Sequence, residues 1–351
     1  MTETKPIQTA LLSYGMSGEV FHAPLLAAHS GFKLAKIWQR KSASSQARYP
    51  VVEIVKSFEE ILADKSIELV VVNTPNETHF EYSRQALMAG KHVVVEKPYT
   101  NSVEEGIRLI DLAKKQNVML SVFQNRRWDG GFMTVREIIQ SNVLGKIVEL
   151  EMHYDRYRNY IAANTWKEEP SVGSGILYNL GSHMLDQVIQ LFGMPNSINA
   201  KIGIQRPEGK VPDFYDLRLD FDDLNVIVKS SYLVREAGPQ YILHGINGSF
   251  LKYGLDPQEE ALKEGKIPKG INWGKEPESF WGKLNTQLGA LHYEGKVETL
   301  AGNYLSYYQN VYEVIREHKD LVVKPEQALQ VIQLIEAAIK SNEERRSIDL
   351  V

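Results

Sequence analysis

The stretch that decides the fold lies close to the N-terminus and is Gln8-Thr9-Ala10-Leu11-Leu12-Ser13-Tyr14-Gly15-Met16-Ser17-Gly18. A short apolar run ends in a glycine turn, and an amphipathic segment, Glu19–His29, follows it. Strand, glycine turn and helix in this order are typical of the first unit of a dinucleotide-binding fold. Gly15 would let backbone N–H groups approach a pyrophosphate, and Gly18 would let the helix pack closely on the strand. Because Ser13 replaces the usual first glycine, a plain strand-to-helix turn is the alternative interpretation.

Short apolar runs alternate with helical patterns through the first third of the chain. The predicted strands are Gln8–Leu12, Phe32–Trp38, Leu69–Asn73, Val93–Glu96 and Val118–Phe123. The amphipathic segments between them include Phe58–Ala63, Glu77–Ala89 and Val103–Gln116. This alternation predicts a parallel sheet with helices on both faces, which is the α/β doubly wound Rossmann architecture. We assign it to a dinucleotide-binding domain over residues 1–124.

The pattern changes beyond residue 124, where strands follow one another with short turns. Strands are predicted at Lys146–Tyr157, Ile198–Ile204, Tyr215–Phe221, Asn225–Leu233 and Gln240–His244. Helices are predicted at Val135–Gln140, Ser182–Leu191, Tyr304–His318 and Pro325–Ser341. The segment Leu255–Trp281 is rich in Lys, Glu, Gly and Pro, and we predict a long surface loop there. Residues 125–351 should therefore form an α+β domain with an open, mostly antiparallel sheet, used for substrate binding and oligomerisation.

The composition narrows the classes of partner. The 351 residues include 40 Lys and Arg against 44 Asp and Glu, so the net charge of −4 offers no electrostatic attraction for nucleic acid. There is no cysteine, which excludes disulfides, thiolate nucleophiles and cysteine-ligated metals and fits a reducing compartment. The sequence has no run of 18 apolar residues, so we expect no membrane partner, and it has no cluster of potential metal ligands at the spacing of a metal site. We expect a cytoplasmic protein without a metal.

The second predicted strand ends in Gln39-Arg40-Lys41-Ser42, without the acidic residue that binds the ribose of NAD. An arginine at this place stacks on adenine and pairs with a 2′-phosphate. The sequence therefore predicts NADP as the cofactor, with NAD less favoured. The alternative is a solvated basic turn.

Two further motifs follow predicted strands of the parallel sheet, at the edge where such sheets bind ligands. The first is Thr74-Pro75-Asn76, with His79 shortly after it, and the second is Glu96-Lys97-Pro98. An ammonium group at this edge can stabilise the alkoxide that develops when hydride leaves a carbinol. A structural ion pair between Glu96 and Lys97 is the alternative explanation for a lysine beside a buried strand.

The Glu-Lys-Pro motif, with Thr74-Pro75-Asn76 and the glycine turn before it, resembles the Gfo/Idh/MocA family of glucose–fructose oxidoreductase and inositol dehydrogenase relatives. The resemblance extends through the segments at 124–129, 173–183 and 302–304 and covers nearly the whole chain. The branch of NADP-dependent scyllo-inositol dehydrogenase-like proteins is the most similar, and Phe21-His22-Ala23-Pro24 is typical of it. The resemblance implies hydride transfer between a nicotinamide and a ring carbinol of a cyclic polyol or sugar.

The resemblance also implies roles for three residues. Lys97 matches the family's active-site cation, and His183 matches the histidine that exchanges a proton with the substrate hydroxyl. Asn179 stands where the family usually has aspartate, and an amide cannot accept a proton or carry charge. Three explanations stay open: His183 acts alone, the enzyme is slow, or the substitution is engineered to trap a substrate.

The remaining predictions complete the site. Cofactor-binding residues are Ser13, Gly15, Met16, Ser17, Gly18, Arg40, Lys41, Ser42, Thr74, Pro75, Asn76, His79, Glu96 and Lys97. Substrate-binding residues are Asn125, Arg126, Trp128, Arg156 and Tyr157. Family relatives bury the open sheet against another subunit, so we expect a homodimer or homotetramer. The alternatives to a dehydrogenase are a catalytically idle NADP-binding sensor and a sugar enzyme that retains its cofactor.

Overall fold

The computed structural model describes residues 5–163, 165 and 168–350. The chain divides into two compact units. The first contains Met1–Trp128, Pro257–Trp273 and Asn303–Leu329, and the second contains Asp129–Asp256, Gly274–Gly302 and Gln330–Val351. The first unit thus runs slightly past residue 124 and takes two later segments from the range that the sequence analysis assigns to the second domain.

The elements are numbered in chain order. The strands are β1 Ile7–Leu11, β2 Phe32–Trp38, β3 Glu53–Val55, β4 Leu69–Val72, β5 His92–Val95, β6 Leu120–Val122, β7 Ile147–His153, β8 Ser197–Gly203, β9 Phe214–Phe221, β10 Leu224–Ser231, β11 Tyr241–Gly245, β12 Gly248–Lys252, β13 Gly282–Leu288, β14 Leu291–Val297 and β15 Ile348–Asp349. The α-helices are α1 Ala23–Ala28, α2 Glu59–Ala63, α3 His79–Met88, α4 Val103–Gln116, α5 Gly130–Gln140, α6 Ser182–Phe192, α7 Gln258–Lys263, α8 Leu305–Glu317 and α9 Pro325–Glu344. None of the helices in the described part of the chain is long and apolar enough to cross a lipid bilayer.

The sheet of the first unit is fully parallel, with the order β3-β2-β1-β4-β5-β6. Strands β4 and β5 are continuous apolar runs because helices cover both faces of such a sheet. The strand order reverses between β1 and β4, and ligands bind beyond the carboxyl ends of strands at such a switch point. The structure confirms the predicted Rossmann architecture.

The core of the first unit depends on the C-terminal part of the chain. Tyr304, Tyr307 and Tyr308 are buried together with Phe21 and Phe123. The Phe123 and Tyr307 ring centroids are 4.9 Å apart and nearly perpendicular, which is a favourable edge-to-face geometry. Segments that are far apart in the sequence therefore pack into one core.

The second unit holds a nine-stranded mixed sheet in the order β14-β13-β12-β11-β7-β10-β9-β8-β15. Neighbouring strands are antiparallel except β7 and β10, which run parallel. Helix α6 packs on one face, where the Tyr215 hydroxyl lies 3.0 Å from the Met184 sulfur and the Tyr241 hydroxyl donates to Gln187. This confirms the predicted α+β fold with a mostly antiparallel sheet.

The prediction of a surface loop over Leu255–Trp281 was wrong in part. Helix α7 lies within this segment, and Gln258 and Leu262 are buried in the first unit. The run is rich in charge because its exposed side carries Glu260 and Lys263, while a single apolar side chain faces the core. Tertiary contact stabilises this short helix, and a local pattern does not reveal that.

Candidate functional site

The glycine turn after β1 is fixed by hydrogen bonds that the sequence analysis did not predict. The Ser13 amide donates to Asn73 Oδ1 at 3.0 Å, and Asn73 Nδ2 donates back to the Ser13 carbonyl at 2.9 Å. Ser13 Oγ accepts from the Gly15 amide at 3.1 Å. Ser13 therefore shapes the turn with its hydroxyl, and Asn73, the first residue after β4, couples the two central strand ends.

The two glycines of this turn face different surroundings. A Cβ on Gly18 would collide with the Ser13 carbonyl and come within 2.8 Å of Asn73 Nδ2. A Cβ on Gly15 would meet only Ser13 Oγ, at 3.4 Å, and Gly15 and Met16 are exposed. Gly18 is needed for close packing, whereas Gly15 keeps the outer surface of the turn open. This turn, followed by helical backbone from Ser17, fits the pyrophosphate of a dinucleotide.

The turn after β2 is organised by Gln39, another residue that the sequence analysis did not select. Its buried carboxamide donates to Ser42 Oγ at 2.9 Å and to Ser44 Oγ at 3.0 Å and accepts from Ser45. Arg40, Lys41 and Ser42 are exposed on this turn. The hydrogen bonds of Gln39 thus fix the turn on which these exposed cations lie.

The turn after β4 is held by its own hydroxyls. Thr74 Oγ1 and Thr78 Oγ1 lie 2.6 Å apart, and Thr78 Oγ1 also donates to the Pro75 carbonyl at 2.7 Å. Pro75 is exposed, and Thr74 and Asn76 are half-buried. The backbone of this turn is therefore fixed where cofactor contacts are predicted.

Lys97 follows β5 and is half-buried, with a cis peptide bond to Pro98. The preceding Glu96 is buried, and its Oε2 accepts the Lys97 amide at 3.0 Å. Its Oε1 lies 3.0 Å from Nε2 of the buried His22. Burial raises the pKa of Glu96, but the His22 hydrogen bond and the nearby charges outweigh it and hold the pKa below the usual value. The Glu96 carboxylate therefore binds groups of the chain itself, and its predicted contact with a cofactor stays a prediction.

His79 lies close to backbone carbonyls on both sides of its ring. The imidazole is fully buried, with Nδ1 2.8 Å from the Pro98 carbonyl and Nε2 3.0 Å from the Thr74 carbonyl. Burial lowers the pKa of His79 below its usual value, against the opposing effect of the carbonyl groups. Both ring nitrogens therefore face backbone carbonyls, of which the neutral ring can donate to one, and the predicted cofactor contact of His79 stays a prediction.

The segment after β6 forms a short 3₁₀ turn, Asn125–Trp128, and three predicted substrate contacts lie on it. Asn125 is buried, and the Trp128 ring packs 5.9 Å from the Tyr307 ring. Arg126 is buried and paired with Glu259 on α7, at 2.5 Å between Nη2 and Oε2. Burial raises the pKa of Glu259, but the charges of Arg126 and Lys263 lower it to about 2. Arg126 and Trp128 thus take part in ion pairing and packing within the first unit, and their predicted contacts with a substrate stay predictions.

Gln124, directly before this turn, is a polar group that the sequence analysis left unassigned. Its side chain is 2% exposed, and no described residue donates to Oε1. Because Val122 pairs with Val95 on β5, Gln124 and Lys97 both lie two residues beyond a paired position. A buried, unsatisfied acceptor costs about 1–3 kcal/mol, so Gln124 is a candidate for contact with a ligand.

The second unit carries the predicted proton-exchange residues on one helical stretch. Asn179 lies in a π-helical turn, Leu177–Gly181, and His183 lies in the first turn of α6. His183 is 6% exposed and Asn179 is half-buried. The turn is anchored where the Ile176 amide donates to the Pro212 carbonyl at 2.9 Å. Single π turns within helices are frequent at functional sites.

The last two predicted substrate residues lie beyond the end of β7. The Arg156 guanidinium is 5.6 Å from the Tyr154 ring, and the Arg156 amide donates to the Ser231 carbonyl. Tyr157 is 41% exposed, and its hydroxyl accepts from Arg235 at 2.7 Å. Lys97 belongs to the first unit, whereas Asn179, His183, Arg156 and Tyr157 belong to the second.

Two family models match the chain. Residues 7–124 match the model described as "Oxidoreductase family, NAD-binding Rossmann fold", and residues 136–350 match "Oxidoreductase family, C-terminal alpha/beta domain". Both models carry the Gfo/Idh/MocA name.

Individual relatives agree with the family models. The scyllo-inositol 2-dehydrogenase (NADP(+)) IolW of Bacillus subtilis is 40% identical over 98% of this chain and 96% of its own length. A solved structure named for the oxidoreductase yvaA of Bacillus subtilis superimposes with a TM-score of 0.97 at 39% identity and covers 100% of both chains. A solved structure of an oxidoreductase from Bacteroides fragilis gives a TM-score of 0.91 at 46% identity, covering 99% of this chain and 100% of its own.

Proposed function

Because this chain belongs to the Gfo/Idh/MocA oxidoreductase family, we propose that it is an NADP-dependent dehydrogenase acting on a ring carbinol of a cyclic polyol or sugar. The reaction is of the EC 1.1.1 type, and scyllo-inositol is the first substrate to test, since the similar IolW is named for it. One observation carries the proposal. The backbone amide of Lys97 donates to Glu96, which fixes this residue at the sheet edge that also carries the glycine turn and the hydrogen-bonded turns after β2 and β4.

The chemistry divides between the cofactor and the chain. A bound nicotinamide supplies hydride transfer, and the protein supplies orientation and charge. The Lys97 ammonium donates a hydrogen bond to the substrate oxygen and stabilises negative charge there. A ring nitrogen of neutral His183 takes the hydroxyl proton during oxidation and returns it during reduction.

Asn179 restricts this proton exchange. Its carboxamide can orient a substrate hydroxyl, but it cannot share the proton or increase the basicity of His183 through negative charge. We therefore expect His183 to be the only proton acceptor of the pair, and we expect Asn179→Asp to raise the rate.

The preference for NADP follows from the turn after β2. Arg40 and Lys41 are exposed there, and the Arg40 guanidinium lies 5.9 Å from the Trp38 ring. Gln39 uses its amide within the turn, so it does not replace the acidic residue that binds the ribose of NAD. These features support NADP, as does the cofactor in the name of IolW.

The decisive experiment is an initial-rate assay of a panel of inositols and aldoses with NADP and with NAD, followed by absorbance. His183→Ala and Lys97→Met should each lower kcat by about 10²-fold or more, and Asn179→Asp should raise it. A lower KM for NAD than for NADP would contradict the cofactor proposal. Tight NADPH binding without turnover in the parent chain and in Asn179→Asp would support an idle sensor instead.

A further inference from the structure

Two buried histidines contact the residues on either side of Lys97, namely Glu96 and Pro98. His22 reaches the Lys97 backbone through Glu96, which accepts the Lys97 amide, and His79 contacts the carbonyl of Pro98. We propose that His22 and His79 are positioning residues that clamp the Lys97–Pro98 backbone and so fix the origin of the Lys97 side chain. This inference rests on the proposed function, in which Lys97 is the active-site cation.

The His22 side of the clamp is a continuous chain of hydrogen bonds. The Tyr308 hydroxyl is 2.7 Å from His22 Nδ1, and His22 Nε2 is 3.0 Å from Glu96 Oε1. The Glu96 carboxylate can only accept, so Nε2 carries a proton, and a neutral His22 ring then accepts at Nδ1 from the Tyr308 hydroxyl. Glu96 Oε2 then accepts the Lys97 amide at 3.0 Å. Every group has a matched donor or acceptor.

Burial strengthens this chain of hydrogen bonds. His22 and Tyr308 are both 0% exposed, and the His22 ring packs 4.3 Å from the Phe123 ring. Hydrogen bonds in such surroundings are stronger than in water, and a carboxylate left without its donor there is costly. Removal of His22 therefore leaves Glu96 with one partner fewer in the core, and Glu96 is the direct neighbour of Lys97.

The His79 side connects Lys97 to a second loop. One ring nitrogen is 2.8 Å from the Pro98 carbonyl and the other is 3.0 Å from the Thr74 carbonyl. Thr74 belongs to the turn that is predicted to contact the cofactor, so the His79 ring lies between that turn and the lysine loop, and the neutral ring donates to one of the two carbonyls. The two histidines should consequently have different effects: loss of His22 should affect turnover alone, whereas loss of His79 should affect cofactor binding as well.

The size of the effect follows from the precision that catalysis needs. A lysine side chain is long and flexible, so its ammonium group is placed reliably only if its backbone is fixed. A displacement of about 1 Å from the productive position can cost about 10²-fold in rate. We expect His22→Leu to lower kcat by about 10- to 100-fold, with the Kd for NADPH changed less than about 2-fold.

The test compares His22→Leu with His22→Gln, Tyr308→Phe and His79→Leu. Glutamine is the conservative variant, because its amide can still donate to Glu96, and His22→Gln should recover most of the kcat. Tyr308→Phe removes only the distal hydroxyl and should have the smallest effect. His79→Leu should raise the Kd for NADPH as well as lower kcat. Thermal unfolding of each variant identifies any loss of folded protein.

Two further readouts separate positioning from general stability. His22 holds down the pKa of Glu96, so the Glu96 pKa followed by NMR titration should be higher in His22→Leu than in the parent chain. Hydrogen–deuterium exchange of the peptide that contains Lys97 should increase in His22→Leu, by about tenfold or more at this amide. Neither change is expected in Tyr308→Phe.

The outcomes separate this inference from the proposed function. Absence of any NADP-dependent turnover in the parent chain refutes the proposed function, and with it the role of the clamp in catalysis. Hydrogen–deuterium exchange at the Lys97 amide still decides whether the backbone is clamped. Unchanged exchange in both His22→Leu and His79→Leu overturns the clamp, whatever the activity. Faster exchange with an unchanged kcat per folded molecule overturns its role in positioning Lys97.

Discussion

Substitution of the two glycines in the turn after β1 should separate the packing role of that turn from its binding role. In Gly18→Ala, the new methyl group meets the Ser13 carbonyl and the Asn73 amide, so we expect both hydrogen bonds of the Ser13–Asn73 pair to be lost. Two hydrogen bonds at about 1 kcal/mol each, or an overpacking cost of about 1–3 kcal/mol, lead to the same expectation. We expect a loss of about 2 kcal/mol in the free energy of unfolding.

Gly15→Ala should behave in the opposite way. The added Cβ would be at ordinary contact distance from Ser13 Oγ, so the free energy of unfolding should stay nearly unchanged. The methyl group would lie on the exposed surface of the turn, where the pyrophosphate is expected. Loss of one hydrogen bond to a charged group costs about 1.5–3 kcal/mol, which corresponds to about a 10- to 100-fold weaker Kd for NADPH.

Urea denaturation and fluorescence titration with NADPH measure these two effects. Gly203→Ala is the matched control, because no described residue other than its two chain neighbours would lie within 4 Å of the added methyl group. Equal stability of the Gly18 and Gly203 variants would refute the packing argument. NADPH binding by Gly15→Ala at the parent affinity would refute the assignment of the binding surface.

Three other predictions concern separate parts of the molecule. Glu259→Gln breaks the buried pair with Arg126 and should destabilise the fold by about 3 kcal/mol at pH 7. Because the pKa of the Glu259 carboxyl is lowered in the folded state, this difference should shrink as the pH falls from about 4.5 towards about 2. A pH-independent difference in urea denaturation would contradict this prediction. Gln39→Glu should raise the Kd for NADPH by about tenfold, whereas the exposed control Gln46→Glu should leave it nearly unchanged. Equal titration curves for the two variants would refute a role of this turn in cofactor binding. Light scattering at micromolar concentration should show a dimer or tetramer, and Ile227→Arg on the open sheet face should shift it towards monomer; a monomeric parent chain would contradict the oligomer prediction.

The regular elements were predictable where the sequence pattern alone decides the structure. Strand β2 and helix α4 have the predicted bounds, because a clear apolar run and a regular amphipathic helix determine them. Strand β3 has three residues and was missed, since its stability comes from pairing with β2. Strand β14 was missed because its side chains are exposed or half-exposed, so it has no apolar alternation.

The candidate site was predictable at the level of motifs but not at the level of contacts. The glycine turn and Lys97 follow strands of the parallel sheet, and their positions follow from topology. Arg126 was expected to contact substrate, yet its partner Glu259 is 133 positions away, on a helix that was predicted as a loop. Asn73 and Gln39 act through buried amides, and a single polar residue after a strand gives no sign of such a role.

The aromatic core of the first unit also bears on how the chain is made. Residues 1–128 leave the ribosome long before Tyr304, Tyr307 and Tyr308, which complete the core around Phe123. Until those tyrosines are synthesised, the nascent Rossmann sheet exposes an apolar surface that favours aggregation. Completion of this unit must therefore wait until almost the entire chain has been translated, and a fragment ended near residue 124 would lack part of its own core. Protein synthesis in this case imposes a delay between the appearance of the nucleotide-binding motif and its stable folding.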